Sequence, residues 1–353
     1  MAKVLMKGNE AMAEAAIRAG CKFFFGYPIT PQNEIPEYMS RELPLAGGIF
    51  VQAESEIAAI NMVFGAAGSG ARVMTSSSSP GISLKQEGIS YIAGAELPCL
   101  IINVMRAGPG LGGIQPAQAD YFQAVKGGGH GDYRLPVFAP ANIQEAVDLI
   151  HTAFDVADAY RTPVMILADG MIGQMMEAIE FKGFTQKIGP EKNWATTGTR
   201  GKREPNIITS LDLDSYRLEK HILEIKKKMD LISEKECRWE EYNMEDADIV
   251  AVAYGTTSRI LKSAVETLKN KGINVGILRP ITLFPFPYHI LKTLPERVTA
   301  VLTVEMSTGQ MVEDVRLGVE GRIPVHFYGR TGGVIPTPQE IIDKIENILG
   351  GGQ

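Results

Sequence analysis

The chain has 353 residues, 45% of them hydrophobic and 22% charged, enough to bury a large core and to form more than one domain. Its formal net charge of -6 and pI near 5.6 exclude the basic footprint of a binder of nucleic acid or of an anionic membrane. Gly8 and Asn9 interrupt the opening segment too early for the apolar core of a signal peptide, and no later run approaches the roughly 18 residues of a membrane span, so a cytoplasmic chain is expected.

KVLM (3–6) leads into a helix expected from about Asn9, as N-cap, to Gly20, as C-terminal stop. FFFG (23–26) is the next strand, and GYPITP (26–31) turns the chain tightly before another helix. There Thr30 and Pro31 read as an N-cap followed by the first helical residue. Further strands are expected at IFVQ (49–52), ARVMTS (71–76), CLIINVM (99–105), PVFA (136–139) and PVMILA (163–168), with a helix over 142–160. Such alternation indicates an α/β domain over about 1–190, a mostly parallel sheet wrapped by helices. Residues 191–245 form a polar linker in which Leu218, Ile222, Ile225, Met229 and Ile232 recur at four and three residues. That spacing gives a helix one apolar stripe, which lies on its own protein or pairs with a partner. From 246 to 353 the alternation resumes with DIVAVAYG, a helix from about Thr256 to Lys271, INVGILRP, TAVLTVEM, PVHFYG and a last helix near 338–349, a second and smaller α/β domain.

Several motifs carry chemistry or only look as if they do. Cys21, Cys99 and Cys237 are far apart and form no C-x-x-C pair, so neither a disulfide framework nor an iron-sulfur or zinc centre is expected on this chain. GPGLGG (108–113) matches G-x-G-x-x-G after a strand, but Pro116 interrupts the helix that should receive a pyrophosphate. GGGHGDY (127–133) lacks the lysine and Ser/Thr of a P-loop, and its glycines suit close approach of the backbone to a ligand or another subunit. SSSSPG (76–81) has no nearby histidine to act as base and reads as a strand end and turn. In AESEIAAINMVFGAAGSG (53–70), Glu54, Ser55 and Glu56 precede a helix of small residues, where acidic groups suit the helix N-terminus. Ala58, Ala59, Gly65, Ala66 and Ala67 let that helix approach another element closely, which would partly desolvate a carboxylate there and fit it for proton exchange. Arg106 ends the strand CLIINVM, and Thr30 follows FFFG, both at positions where open α/β sheets gather ligands. Taken alone, the arginine also reads as an ordinary ion-paired side chain.

Together, GYPITP, the ESE helix start, Arg106 with GPG, GGGHGDY and EMSTGQM (305–311) resemble the thiamine-diphosphate-dependent 2-oxoacid:ferredoxin oxidoreductases throughout the chain. The similarity is to their alpha-type subunit, a pyrimidine-binding domain followed by a transketolase C-terminal-like domain. Within it the chain resembles the VorB-type subunits of branched-chain (3-methyl-2-oxobutanoate) enzymes, with the 2-oxoglutarate enzyme subunit as neighbour. The resemblance implies that Glu56 bonds N1′ of the thiamine aminopyrimidine, that Tyr27 and Pro28 belong to the cofactor-binding turn, and that Thr30 and Arg106 face the substrate's carboxylate and carbonyl. ADG (168–170) departs from the GDG opening of the family's metal-diphosphate motif, and no asparagine pair follows, so no metal is expected on this chain. Mg2+ and [4Fe-4S] clusters are then expected on a beta-type partner subunit, with a gamma-type and a ferredoxin-like delta subunit, coenzyme A, a 2-oxoacid and ferredoxin completing the system. EMSTGQM is implied to contribute to subunit interfaces. Rival readings are a self-sufficient decarboxylase, which the missing magnesium motif opposes, a non-catalytic assembly module and a dinucleotide-binding oxidoreductase.

Overall fold

The computed structural model describes residues 3–182 and 191–350. The N-terminal part runs β1 (Val4–Lys7), α1 (Gly8–Arg18), β2 (Phe23–Gly26), α2 (Glu34–Leu45), β3 (Ile49–Gln52), α3 (Glu56–Gly68), β4 (Val73–Ser77), α4 (Ser79–Gly94) and β5 (Cys99–Met105). It continues with α5 (Tyr121–Val125), β6 (Val137–Phe138), α6 (Ile143–Tyr160), β7 (Pro163–Asp169), α7 (Gly170–Gln174) and β8 (Met176–Ile179). Then come α8 (Ser215–Lys235), β9 (Trp239–Tyr242), β10 (Ile249–Val252), α9 (Gly255–Asn270), β11 (Val275–Pro280), β12 (Thr282–Phe284), α10 (Tyr288–Lys292), β13 (Ala300–Glu305), α11 (Met311–Val319), β14 (Val325–Gly329) and α12 (Pro338–Leu349).

A seven-stranded sheet has the order β12-β6-β7-β5-β4-β2-β3, parallel except at β12, and a five-stranded sheet the order β14-β13-β10-β11-β9 with β9 antiparallel at its edge. The apolar runs of β5 and β7 are buried along their whole length, as strands covered on both faces must be. Helices α1, α2 and α6 bury one face of the larger sheet, α1 through small residues such as Ala11 and Ala15, α2 through Ile35 and Met39, and α6 through Ile150 and Phe154. The opposite face shares one core with the five-stranded sheet: Ile60, Val63, Ile82 and Ile89 of α3 and α4 belong to the same cluster as Val250, Val301 and Val315. Helices α9 and α12 cover the outer side of the smaller sheet. The two sheets are therefore packed through a common apolar interior, the dominant stabilising term in such an arrangement.

Several expectations change in three dimensions. Thr30 does not cap a helix: α2 starts at Glu34, and Pro31 and Gln32 are buried in the turn before it. Asn9 lies inside α1, which begins at Gly8, and its amide donates to Pro31 O and Glu34 Oε2 instead of capping. The segment expected as a linker with an amphipathic helix also supplies β9 to the smaller sheet, and β12, from beyond 246, closes an edge of the larger one. The expected boundary at 190, with the start of KIGPEKNW, falls within 183–190, outside the described residues. Helix α8 lies on its own chain, with Ile225, Met229 and Ile232 buried against Tyr133, Tyr160 and Phe284. Among the described residues no helix is long and apolar enough to cross a membrane.

Candidate active site

The larger sheet changes direction between β2 and β4. From β2 the chain moves outward to β3, then returns to the other side of β2 to form β4 and β5. The following helices lie on opposite faces, α2 in one core and α4 in the other, which opens a crevice at the carboxyl ends of the strands. Four of these ends are adjacent, and each feeds the crevice: the turn 27–31 after β2, Glu56 after β3, Ser77–Ser79 at the end of β4 and Arg106 after β5. The bond from Ala53 N to Gly26 O, 3.0 Å, sets the approach to Glu56 beside the start of the turn.

The turn is held by its carbonyls. Thr30 O accepts from Arg106 Nη1 at 3.0 Å, and Pro31 O accepts from Asn9 Nδ2 at 2.7 Å and Gln174 Nε2 at 2.8 Å. Gln32 accepts the Ser76 hydroxyl at 2.5 Å across the crevice. This leaves Tyr27, 37% exposed, with Pro28 and Thr30 on the surface. Arg106 is buried, its backbone N–H donating to Ser79 Oγ and its Nη2 to Leu111 O at 3.0 Å. The guanidinium thus ties the turn to the GPGLGG loop, and its Nε has no partner among the described residues. No helix follows that loop until α5, which leaves the dinucleotide fingerprint without its receiving helix.

Glu56 is the first residue of α3, capped by Ser55, whose Oγ accepts from Ala58 N at 3.1 Å. It is 6% exposed, and among the described residues its carboxylate accepts no hydrogen bond. Gly81 of α4 makes the place for it: a Cβ there would fall on the Ser77 hydroxyl and 2.7 Å from Glu56 Oε1. Ser77 Oγ and Ser78 Oγ are buried without partners among the described residues. Below them, Lys85 is fully buried and donates to Thr75 Oγ1 at 3.0 Å. Burial pulls its ammonium down to about 8, and the Glu56 carboxylate acts the other way. On the far side of the first turn of α4, Asp120 Oδ2 accepts from Ser79 Oγ at 2.6 Å and Asn103 Nδ2 at 2.9 Å, while desolvation raises its carboxyl above the ordinary range.

The other motifs are used for assembly of the crevice walls. GGGHGDY lies on α4 of its own chain, where Gly129 passes so close to Ser90 and the Gln86 carbonyl that a side chain would collide. Asp169 of ADG caps α7 through Met171 N and Ile172 N and accepts from Thr256 Oγ1 at 2.8 Å, joining the two sheets. In EMSTGQM, Glu305 accepts from the N–H groups of Gln310, Met311 and Val312 and from the Ser307 hydroxyl. The loop so fixed faces Ala107–Gly110 and Asp120 across a cleft of 620 Å³. Sequence reading missed Lys85, Gln32 and Asp120; a usable signal was the spacing of Gly81, Lys85 and Gly88, a lysine set within the glycine face of one helix.

Comparison with known proteins agrees with this architecture. Residues 14–242 match the family described as pyruvate flavodoxin/ferredoxin oxidoreductase, thiamine diphosphate-binding, and residues 247–341 match pyruvate:ferredoxin oxidoreductase core domain II. The ketoisovalerate oxidoreductase subunit VorB of Methanothermobacter marburgensis is 52% identical over 99% of both chains. The 2-oxoglutarate synthase subunit KorA of Methanocaldococcus jannaschii is 37% identical, over 95% of this chain and 97% of its own length. The 2-oxoglutarate:ferredoxin oxidoreductase of Magnetococcus marinus, solved with 2-oxoglutarate, coenzyme A and succinyl-CoA bound, superimposes with a TM-score of 0.87 at 27% identity over 98% of this chain, which spans 65% of that one. A split-gene transketolase solved as an inactive β4 tetramer gives a TM-score of 0.56 at 15% identity, over 96% of this chain and 93% of that one, a likeness of fold alone. With both core regions matched in order and a relative at 52% identity over nearly the whole length, the chain belongs to the thiamine-diphosphate-binding pyruvate flavodoxin/ferredoxin oxidoreductase family.

Proposed function

We propose that this chain is the alpha-type subunit of a cytoplasmic 2-oxoacid:ferredoxin oxidoreductase acting on a branched-chain substrate such as 3-methyl-2-oxobutanoate. The reaction breaks the bond between the carbonyl carbon and the carboxylate of the 2-oxoacid with release of CO2, joins the acyl carbon to the sulfur of coenzyme A with release of the thiol proton, and passes two electrons to ferredoxin. The preference for a branched substrate rests on 52% identity to a ketoisovalerate oxidoreductase subunit against 37% to a 2-oxoglutarate synthase subunit. The proposed organisation is a pyrimidine-binding region over 1–190, a connecting region over 191–245 and a transketolase C-terminal-like region over 246–353. In it a beta-type partner carries Mg2+ and [4Fe-4S], and gamma-type and delta subunits complete the assembly.

The observation that carries the reading is the pair of buried, partnerless hydroxyls of Ser77 and Ser78 at the carboxyl edge of four parallel strands, beside Glu56, a residue 6% exposed whose carboxylate accepts no hydrogen bond among the described residues. Buried polar groups without partners are rare, and such a cluster fits a polar ring seated against this face. Thiamine diphosphate, when bound, supplies an electron sink for the carbon left when CO2 departs. Glu56 would hold and exchange a proton at N1′ of its aminopyrimidine, with Tyr27 and Pro28 bordering the same edge. The exposed Thr30 hydroxyl and the buried Arg106 Nε, which has no partner among the described residues, would face a substrate carboxylate or carbonyl; of the other two arginine nitrogens, Nη1 positions the turn and Nη2 holds the GPGLGG loop. The test is viologen reduction by the complex purified with its partner subunits, with coenzyme A and either 3-methyl-2-oxobutanoate or 2-oxoglutarate. Glu56→Gln should abolish turnover while assembly persists; full activity of that variant would overturn the role of Glu56, and a preference for 2-oxoglutarate would overturn the substrate.

A further inference from the structure

Helix α4 presents Gly81, Lys85 and Gly88 to α3 at intervals of four and three residues, one face of the helix. Gly81 abuts Glu56, and Gly88 abuts Ile60, one turn further along α3. The two glycines bring the helix backbones together, and the lysine between them has no route to water: its side chain runs in the groove to the β4 residue Thr75. An ammonium has three donors and is costly to bury, yet this one has a single uncharged acceptor among the described residues. A leucine or methionine would fill the groove without that cost. What the groove holds besides is the stem of Glu56, itself without a hydrogen-bonding partner.

We infer that Lys85 is a positioning residue for Glu56: its ammonium, buried on the face of α4 that meets α3, supplies the counter-charge that holds the carboxylate directed to the crevice. The inference rests on the role proposed for Glu56. Among the groups around the groove, β4 contributes the uncharged hydroxyls of Thr75 and Ser77, α3 contributes Glu56, and Asp120 is engaged with Ser79 and Asn103. Glu56 is the titratable group whose charge supports the protonated lysine, and burial alone opposes it. A fully buried ammonium with a single acceptor and a nearby carboxylate stabilise one another more in this setting than they would in water.

The test compares wild type, Lys85→Met, Thr75→Val and Glu56→Gln in the complete complex. The first readout is the pH dependence of kcat/KM. The second, independent of turnover, is the proton uptake that accompanies thiamine diphosphate binding, measured calorimetrically in two buffers of different ionisation enthalpy. Lys85→Met should move the acid limb and the midpoint of proton uptake upward by about one pH unit, with thermal stability equal to wild type or higher. Thr75→Val, which frees the ammonium without removing it, should move both in the same direction by less and provides the answer if Lys85→Met does not assemble. Unchanged limbs and uptake in the assembled variants, with Glu56→Gln inactive, would overturn the inference about Lys85 alone. An active Glu56→Gln complex would instead overturn the reading of Glu56 on which it rests.

Discussion

Replacing Gly81 with alanine tests whether the place of Glu56 is set by its contact with α4. The added Cβ would meet Ser77 Oγ and lie 2.7 Å from Glu56 Oε1 and 3.2 Å from its Cγ. Carbon and oxygen settle at roughly 3.4 Å or more, so the carboxylate must withdraw by somewhat less than 1 Å, the serine must turn, or α4 must tilt. Overpacking of this kind costs about 1–3 kcal/mol of folding stability, partly offset because alanine is a better helix former than glycine by about 1 kcal/mol. The net loss of stability should therefore be small. The loss of function should not: a misplacement near 1 Å costs about 100-fold in rate, or about 2.7 kcal/mol of barrier. The assay is viologen reduction by the whole complex, with thiamine diphosphate affinity by calorimetry and thermal unfolding as the control for folding. A Gly81→Ala complex that melts within a few degrees of wild type and turns over within a factor of two would refute the reasoning.

Gly65, on the same helix as Glu56, provides the contrast. A Cβ there meets nothing within 4 Å, so Gly65→Ala should stabilise the isolated chain by about 1 kcal/mol; an unchanged or lower melting temperature would contradict the open space around it. Arg72 is buried and bonded to Asp158 at 2.8 Å, Asp155 at 2.6 Å and Ala19 O at 2.6 Å. Arg72→Met should cost about 3–5 kcal/mol in urea unfolding because it strands buried acceptors, and a cost under about 1 kcal/mol would mean that Lys192 alone can hold Asp158. Lys85 supplies a pH signature. Its proton leaves near pH 8 in the folded chain and near 10.5 in the unfolded one, so between those values the unfolded state binds more protons and stability rises with pH. The advantage of Lys85→Met in unfolding free energy should therefore be largest below pH 8 and shrink by on the order of 3 kcal/mol by pH 10.5, whereas a constant difference would show that the lysine does not titrate in this window.

Local rules sufficed wherever local forces decide. The apolar runs FFFG, CLIINVM and PVMILA became strands because only a covered sheet buries such segments, and Asn142 caps α6 through Glu145 N as its side chain allows. The family, too, was legible, because Glu56, Thr30, Arg106 and the glycine loops sit at definite places along the chain. Thr30 was misjudged as a cap because the competing partners are remote: Arg106 takes its carbonyl, and Gln32 is drawn to Ser76 of another strand. The same holds for GGGHGDY, whose glycines serve contact with α4, and for β9 and β12, short segments that become strands only because a sheet edge is there to pair with. Sequence by itself determined the elements, the class of fold and the residue types brought to the crevice, since periodicity and turn chemistry act over a few residues. Only the tertiary structure decided that Lys85 is buried beside Glu56, that Gly81 makes room for the carboxylate and that the arginine holds backbone before it meets any substrate, because those interactions join residues that only packing brings together.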